Sequence, residues 1–248
     1  GVAVASFAVF LSDMVGGEFW RVSFIFGGVV GLIISIFARN IPESSEFLFN
    51  KAKDDVKPSF TILIFGILIS GFIGGIYHFY MIFFKSYITD VTHLIESDLF
   101  GHILILGVIL YILAAIISGY IADKFCEKKQ IAFSLVVSII LAIANAIYMA
   151  NGEVSGLLLV LSIFLIAFYS VPLQIILKRK MPIGNRLKLF SLSHSLGSLI
   201  FSSSSTLIST FIYDSTHLAF MPMFYLIAMM LVLGGVSFFC FRIPSLEC

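Results

Sequence analysis

Residues 99–130 read LFGHILILGVILYILAAIISGYIADKFCEKKQ. Positions 99–122 contain no Asp, Glu, Lys or Arg, and then five charged residues (Asp123, Lys124, Glu127, Lys128 and Lys129) follow in close succession. At 1.5 Å per residue the uncharged run measures about 36 Å as a helix, enough to cross a hydrocarbon slab of about 30 Å. A helix satisfies its own backbone hydrogen bonds, so it is the one single-segment structure that lipid tolerates. The stretch therefore predicts a transmembrane helix ending in a charged loop.

The same pattern recurs on both sides of it. Runs bounded by charged residues or His predict further spans at 22–38, 58–84, 130–152, 154–177, 189–213 and 218–241. Short alternating apolar and polar strands, the mark of an outer-membrane barrel, are absent from the sequence. Of 248 residues, 60% are hydrophobic and 12% charged, and the mean hydropathy is +1.09. Twenty-seven Phe cannot be hidden in one core of this size under so thin a charged skin, so lipid must act as solvent. A formal net charge of +1 removes the case for a nucleic-acid binder. The predicted fold class is an all-α integral membrane bundle of seven complete helices, preceded by an apolar stub at 1–12.

That stub measures about 18 Å as a helix, too short to span. It has no initiator Met and no basic region ahead of it, so it does not read as a secretory signal and is expected to be the tail of a longer helix in a chain truncated at its N-terminus. With 13–21 placed outside, the inside segments 39–57, 123–129, 178–188 and the C-terminal tail carry 4, 3, 5 and 1 Lys/Arg, against only Arg21 and Lys85 outside. A bias of that size predicts a cytoplasmic C-terminus. Cys126, Cys240 and Cys248 then lie at or near a reducing cytoplasm as thiols. The long loop 39–57, which holds Pro42, separates 1–38 from the six helices of 58–248. Two consecutive three-helix units have opposite topology, so an inverted repeat is compatible with the last six.

Three passages resemble the major facilitator superfamily and, within it, the metabolite:proton symporters that include proline/betaine transporters. Phe19-Trp20-Arg21-Val22-Ser23-Phe24, with Ala38-Arg39-Asn40-Ile41-Pro42-Glu43-Ser44-Ser45-Glu46-Phe47, resembles the flanks of that family's sixth helix. Gly119-Tyr120-Ile121-Ala122-Asp123-Lys124-Phe125-Cys126-Glu127-Lys128-Lys129 is similar to its charged cytoplasmic loop, and 186–207 to the start of its eleventh helix. The loop differs in having Lys124, Cys126 and Glu127 where the pattern favours Arg, Gly and Arg. The resemblance implies that 1–38 is the end of an N-terminal bundle, its first helix truncated, that 39–57 is the cytoplasmic central loop, and that 58–248 is the C-terminal six-helix bundle. Helices one to four would be missing partners, and the location would be a bacterial inner membrane. It further implies a proton-coupled secondary transporter of a small polar metabolite or osmolyte, such as proline, betaine or a carboxylate, working by alternating access.

No Asp or Glu lies inside a span, so proton coupling would fall to His or to the missing helices. Gly71, His78 and Lys85 recur at intervals of seven, and Gly74 precedes His78 by four, which places them on one helical face. Tyr77 and Tyr80 flank His78 there, and the face either lines a substrate pathway or packs through its glycines. Ser191, Ser195, Ser198, Ser202, Ser205 and Ser209 predict a continuous hydroxyl stripe with the same two alternatives. Pro172 frees a backbone carbonyl near Gln174, a further pathway candidate, whereas Asn145 reads as an interhelical hydrogen-bond partner. Asp123, with Lys124, Lys128 and Lys129 beside it, is the candidate conformational latch, against the alternative of a charged loop that only sets topology.

The five His have no metal-binding spacing, so neither a metal nor a cofactor is expected, and the protein is expected not to be an enzyme. A membrane-embedded enzyme and a non-transporting remnant of a split gene are the competing classes. Expected partners are the bilayer, the small-molecule substrate and the proton.

Overall fold

Long uncharged runs have one way to satisfy their backbone in lipid, and a computed structural model, which describes residues 20–38 and 60–241, is helical throughout its regular elements. The predicted stub at 1–12 and the loop at 39–57 lie outside the described residues. The chain divides into two compact units, Gly1–Ala52 and Lys53–Cys248. In the first, helix α1 spans Trp20–Ala38, and its apolar stretch is the short segment Gly27–Phe37.

The second unit is a bundle of six helices long and apolar enough to cross a membrane. They are α2 (Phe60–Val91), α3 (Ser97–Lys124), α4 (Glu127–Ala150), α5 (Gly156–Lys180), α6 (Arg186–Thr216) and α7 (Met221–Phe241). This is a multi-pass membrane protein. Polar and apolar residues are distributed inside out: Ser70, Ser138, Asn145, Ser162 and Ser205 are buried, while Leu106, Ile116, Phe133, Leu207 and Phe239 are exposed. In water that arrangement exposes large apolar faces to no purpose, whereas in a bilayer the big side chains meet lipid and the small ones let helices approach.

Helix α2 continues past the predicted end at 84, through the exposed Lys85, to Val91. The first charge marks where side chains reach water, not where the backbone hydrogen bonds stop. At 32 residues the helix is about 48 Å long, so its last turns stand beyond the hydrocarbon or the helix tilts. Two π-helical turns, Phe79–Phe83 and Tyr87–Val91, interrupt it, and a third, Ser198–Ser202, interrupts α6.

Helix α5 packs between α3 and α4 and also touches α2; α2 packs on α6 and α7, and α7 closes against α4. The α2–α6 contact is backbone on backbone: a Cβ built on Gly197 would stand 2.5 Å from the Ile67 carbonyl oxygen and 2.7 Å from the Gly71 nitrogen. Among the described residues from Phe60 onward, one end of the bundle holds Lys124, Lys128, Lys129, Lys178, Arg179, Lys180, Arg186 and Lys188, and the other end only Lys85. The former is called the basic end below.

Candidate functional site

The π turn Phe79–Phe83 lies past the midpoint of α2, and its Tyr80 is buried in the bundle. Tyr80 is 1% exposed and Tyr169, on α5, 0%. The Tyr169 hydroxyl has no hydrogen-bond partner among the described residues, whereas the Tyr80 hydroxyl lies against that of Ser162, just outside good hydrogen-bond geometry. The Tyr169 hydroxyl is within electrostatic reach of Tyr80 and of Tyr111 on α3. Tyr111 in turn packs on Tyr77, with ring centroids 5.7 Å apart. Four tyrosines from three helices thus converge on one region. The Ser162 hydroxyl lies close to Tyr80, donates to the Leu158 carbonyl at 2.7 Å and accepts from Asn145 Nδ2 at 3.2 Å. Asn145 is thereby the interhelical partner that its isolation among apolar residues predicts.

A buried hydroxyl without a partner costs about 1–3 kcal/mol. The Tyr169 hydroxyl shares this condition with buried serines such as Ser70, Ser138 and Ser193, and bound water is the usual partner of such groups.

His78 stands at the rim of this cluster, half-buried and edge-on to Tyr77 at 6.3 Å. Its Nδ1–H donates to the Gly74 carbonyl at 2.9 Å. A carbonyl only accepts, so the neutral ring keeps its proton on Nδ1 and presents Nε2 as the basic nitrogen. Ser198 and Ser202 of α6 pack against Gly74, where a side chain would collide with the Ser202 hydroxyl. Ser195, by contrast, is exposed, and Gln174 is half-buried and makes no hydrogen bond to another described residue.

The predicted hydroxyl stripe needs correction. Ser191 and Ser195 are exposed, while Leu189, Ser193, Gly197, Ser202, Ser205 and Ser209 form the buried face. The π turn adds one residue between Gly197 and Ser202, which rotates the serines before it off the face occupied by those after it.

The carbonyl freed by Pro172 is that of Phe168, four residues earlier, and it does not look into a cavity near Gln174. Gln130 Nε2 donates to it at 3.2 Å, and also to the Ser118 hydroxyl at 2.8 Å and the Ser118 carbonyl at 3.2 Å, tying α3, α4 and α5 together. Nothing in the local sequence around Gln130 announces that bond.

At the basic end, Asp123 is exposed and forms no ion pair with a described residue. Lys124 Nζ lies over the Tyr120 ring, 4.4 Å from its centroid. The acid that joins two helices is Glu127, which accepts from Arg179 Nη1 at 2.7 Å. With Arg179 half-exposed, such a pair contributes about 0.2–1 kcal/mol, weak enough to open and close. Lys180 donates to the Cys240 carbonyl at the end of α7.

Comparison with family models, with curated proteins and with solved structures finds no match. No group of three His, Cys, Asp or Glu that would hold a metal occurs among the described residues. The two missed tyrosines, Tyr111 and Tyr169, each stand inside an uncharged span; a phenol in mid-span is the signal that would have found them.

Proposed function

We propose that this chain is part of a secondary active transporter of major facilitator type that moves a small zwitterion of the proline or betaine class by alternating access. The observation that carries this is the buried, unpartnered hydroxyl of Tyr169 within the four-tyrosine cluster. Phenol hydroxyls donate to a carboxylate, and aromatic faces hold a substituted ammonium by cation–π attraction. One cluster therefore offers complementary surfaces to both ends of such a zwitterion. His78, whose ring is held by the Gly74 carbonyl, is the candidate group for coupling to a proton gradient, since carboxylates of the described helices such as Asp90 and Asp214 stand near the helix ends. The π turn at Phe79–Phe83 gives α2 a local break in its hydrogen-bond ladder next to the site, where a bend during opening and closing is cheapest.

Uptake of radiolabelled proline, glycine betaine and succinate into cells expressing the complete gene, under an imposed proton gradient, tests the proposal. Saturable uptake of one zwitterion, inhibited by the other and by collapse of the gradient, is expected. Absence of saturable uptake for all three overturns it.

A further inference from the structure

Behind Tyr80 the direction of each hydrogen bond is fixed by the carbonyls at the ends of the chain. Asn145, buried on α4, places Nδ2 3.0 Å from the Leu141 carbonyl oxygen and 3.2 Å from the Ser162 hydroxyl. A carbonyl only accepts, so the atom facing it is the amide nitrogen, and its two N–H groups go one to Leu141 and one to Ser162. Ser162, buried on α5, stands 2.7 Å from the Leu158 carbonyl, which again only accepts, so the one hydroxyl proton of Ser162 goes there. A single lone pair is all that Ser162 has left.

Tyr80 brings its hydroxyl against that oxygen, just outside good hydrogen-bond geometry, and the only role Ser162 leaves it there is donor. The reverse pairing would need a second proton on Ser162. With its proton directed at Ser162, Tyr80 offers the rest of the tyrosine cluster its lone pairs. Tyr169 is the opposite case, because no acceptor among the described residues takes its proton. Two buried phenols thus have different roles, Tyr80 as acceptor and Tyr169 as donor.

We propose that Ser162 and Asn145 are positioning residues that hold Tyr80 as a hydrogen-bond acceptor, so that the site selects zwitterions whose ammonium carries an N–H over those whose nitrogen is quaternary. This selectivity presupposes that the cluster is a transport site, as proposed above. Tyr169 donates to the carboxylate, the faces of Tyr77 and Tyr111 attract either kind of cation, and Tyr80 accepts from an N–H. A quaternary ammonium has the same charge and suits the rings equally, but it leaves the buried Tyr80 lone pairs against methyl groups. A site built to hydrogen-bond its substrate rejects an analogue lacking that group by ten-fold or more, because its own buried polar atom is left unpaired.

The test is uptake of radiolabelled proline into cells expressing the complete gene, competed by unlabelled proline, N-methylproline and N,N-dimethylproline. Ring, carboxylate and charge are kept along this series, while the ammonium N–H groups are removed in turn. The dimethyl compound is expected to need at least ten-fold more than proline for half-inhibition, with the monomethyl compound, which keeps an N–H, close to proline. Ser162→Ala frees the Tyr80 O–H to turn toward the site and should narrow that gap to within about three-fold, whereas Ser162→Thr, which keeps the hydroxyl, should retain it. Asn145 keeps its bond to the Leu141 carbonyl in both variants. A purely structural Ser162 would lower uptake without changing the ratios. Thermal denaturation gives a readout that needs no transport: Ser162→Ala and Tyr80→Phe should be non-additive, since each removes the same hydrogen bond. Equal potency of proline and N,N-dimethylproline, an unchanged gap in Ser162→Ala, strict additivity, or uptake of glycine betaine without proline overturns the selectivity proposal and leaves the transport reading standing. Absence of saturable uptake for both proline and glycine betaine is the different result that overturns the transport reading, and the selectivity with it.

Discussion

Tyr169 is wholly buried, its hydroxyl meets no acceptor among the described residues, and two other phenols lie within electrostatic reach. A side chain selected for packing alone would be Phe. Removing the oxygen from a buried, unsatisfied position costs nothing and relieves about 1–3 kcal/mol of desolvation. Tyr169→Phe is therefore expected to leave thermal stability in detergent unchanged or raised while transport falls at least ten-fold. Uptake per molecule, normalised to membrane abundance, checks this against a structural role, under which both quantities would fall together. Gly197 supplies the opposite case. Its Cα hydrogen faces the backbone of α2, with the Ile67 oxygen and the Gly71 nitrogen as the atoms that a methyl would strike, and backbone atoms cannot swing aside as a side chain does. Gly197→Ala is expected to cost about 1–3 kcal/mol and to lower the melting temperature and yield in parallel.

Helix α5 contains Pro172 without falling apart because another helix supplies what the proline removes. Gln130 donates to the orphaned Phe168 carbonyl and to Ser118 at once. Gln130→Leu should cost about 2 kcal/mol, because it strands that carbonyl in a low-dielectric interior. Pro172→Ala restores an N–H to the Phe168 carbonyl, so Gln130→Leu should cost clearly less in that background. A double-mutant cycle by thermal denaturation reads the difference, and strict additivity would mean that Gln130 and Pro172 are not coupled. The element scale is also where sequence and structure diverge most usefully. The six long spans from Phe60 onward were legible because charge-free length is a one-dimensional property of the chain, and α3 to α5 end within three residues of the predicted limits. The π turn of α6 was not legible, since it sits where two helices meet, Gly71, Gly74 and Gly75 against Ser198, Phe201 and Ser202. That one extra residue is why a stripe drawn at helical spacing put Ser191 and Ser195 on the wrong face. His78, Tyr77 and Tyr80 were legible as an unusual polar group in an apolar run, whereas their convergence with Tyr111 and Tyr169 depends on contacts between helices distant in sequence. Glu127 stood among the charges around Asp123, but only the packing of α4 on α5 brings Arg179 to it.

At the scale of the whole molecule, the inside-out distribution of residues makes the bilayer part of the fold, and the concentration of Lys and Arg at one end sets which way it faces. Cys126 is expected to resist a membrane-impermeant thiol reagent applied to intact cells, while a cysteine in place of the exposed Glu153 reacts; the reverse result would invert the orientation. An interior site becomes a transport site only if each face of the membrane reaches it in turn. The most direct measurement places a single cysteine at Tyr169 in a variant with Cys126, Cys240 and Cys248 replaced by Ala, and follows its labelling by an impermeant reagent in intact cells and in inside-out vesicles. The account predicts labelling from both sides, slow because each open form is transient. Reaction from neither side in the folded protein, with full reaction after denaturation, would show the tyrosines to be a closed core and would contradict the transport account.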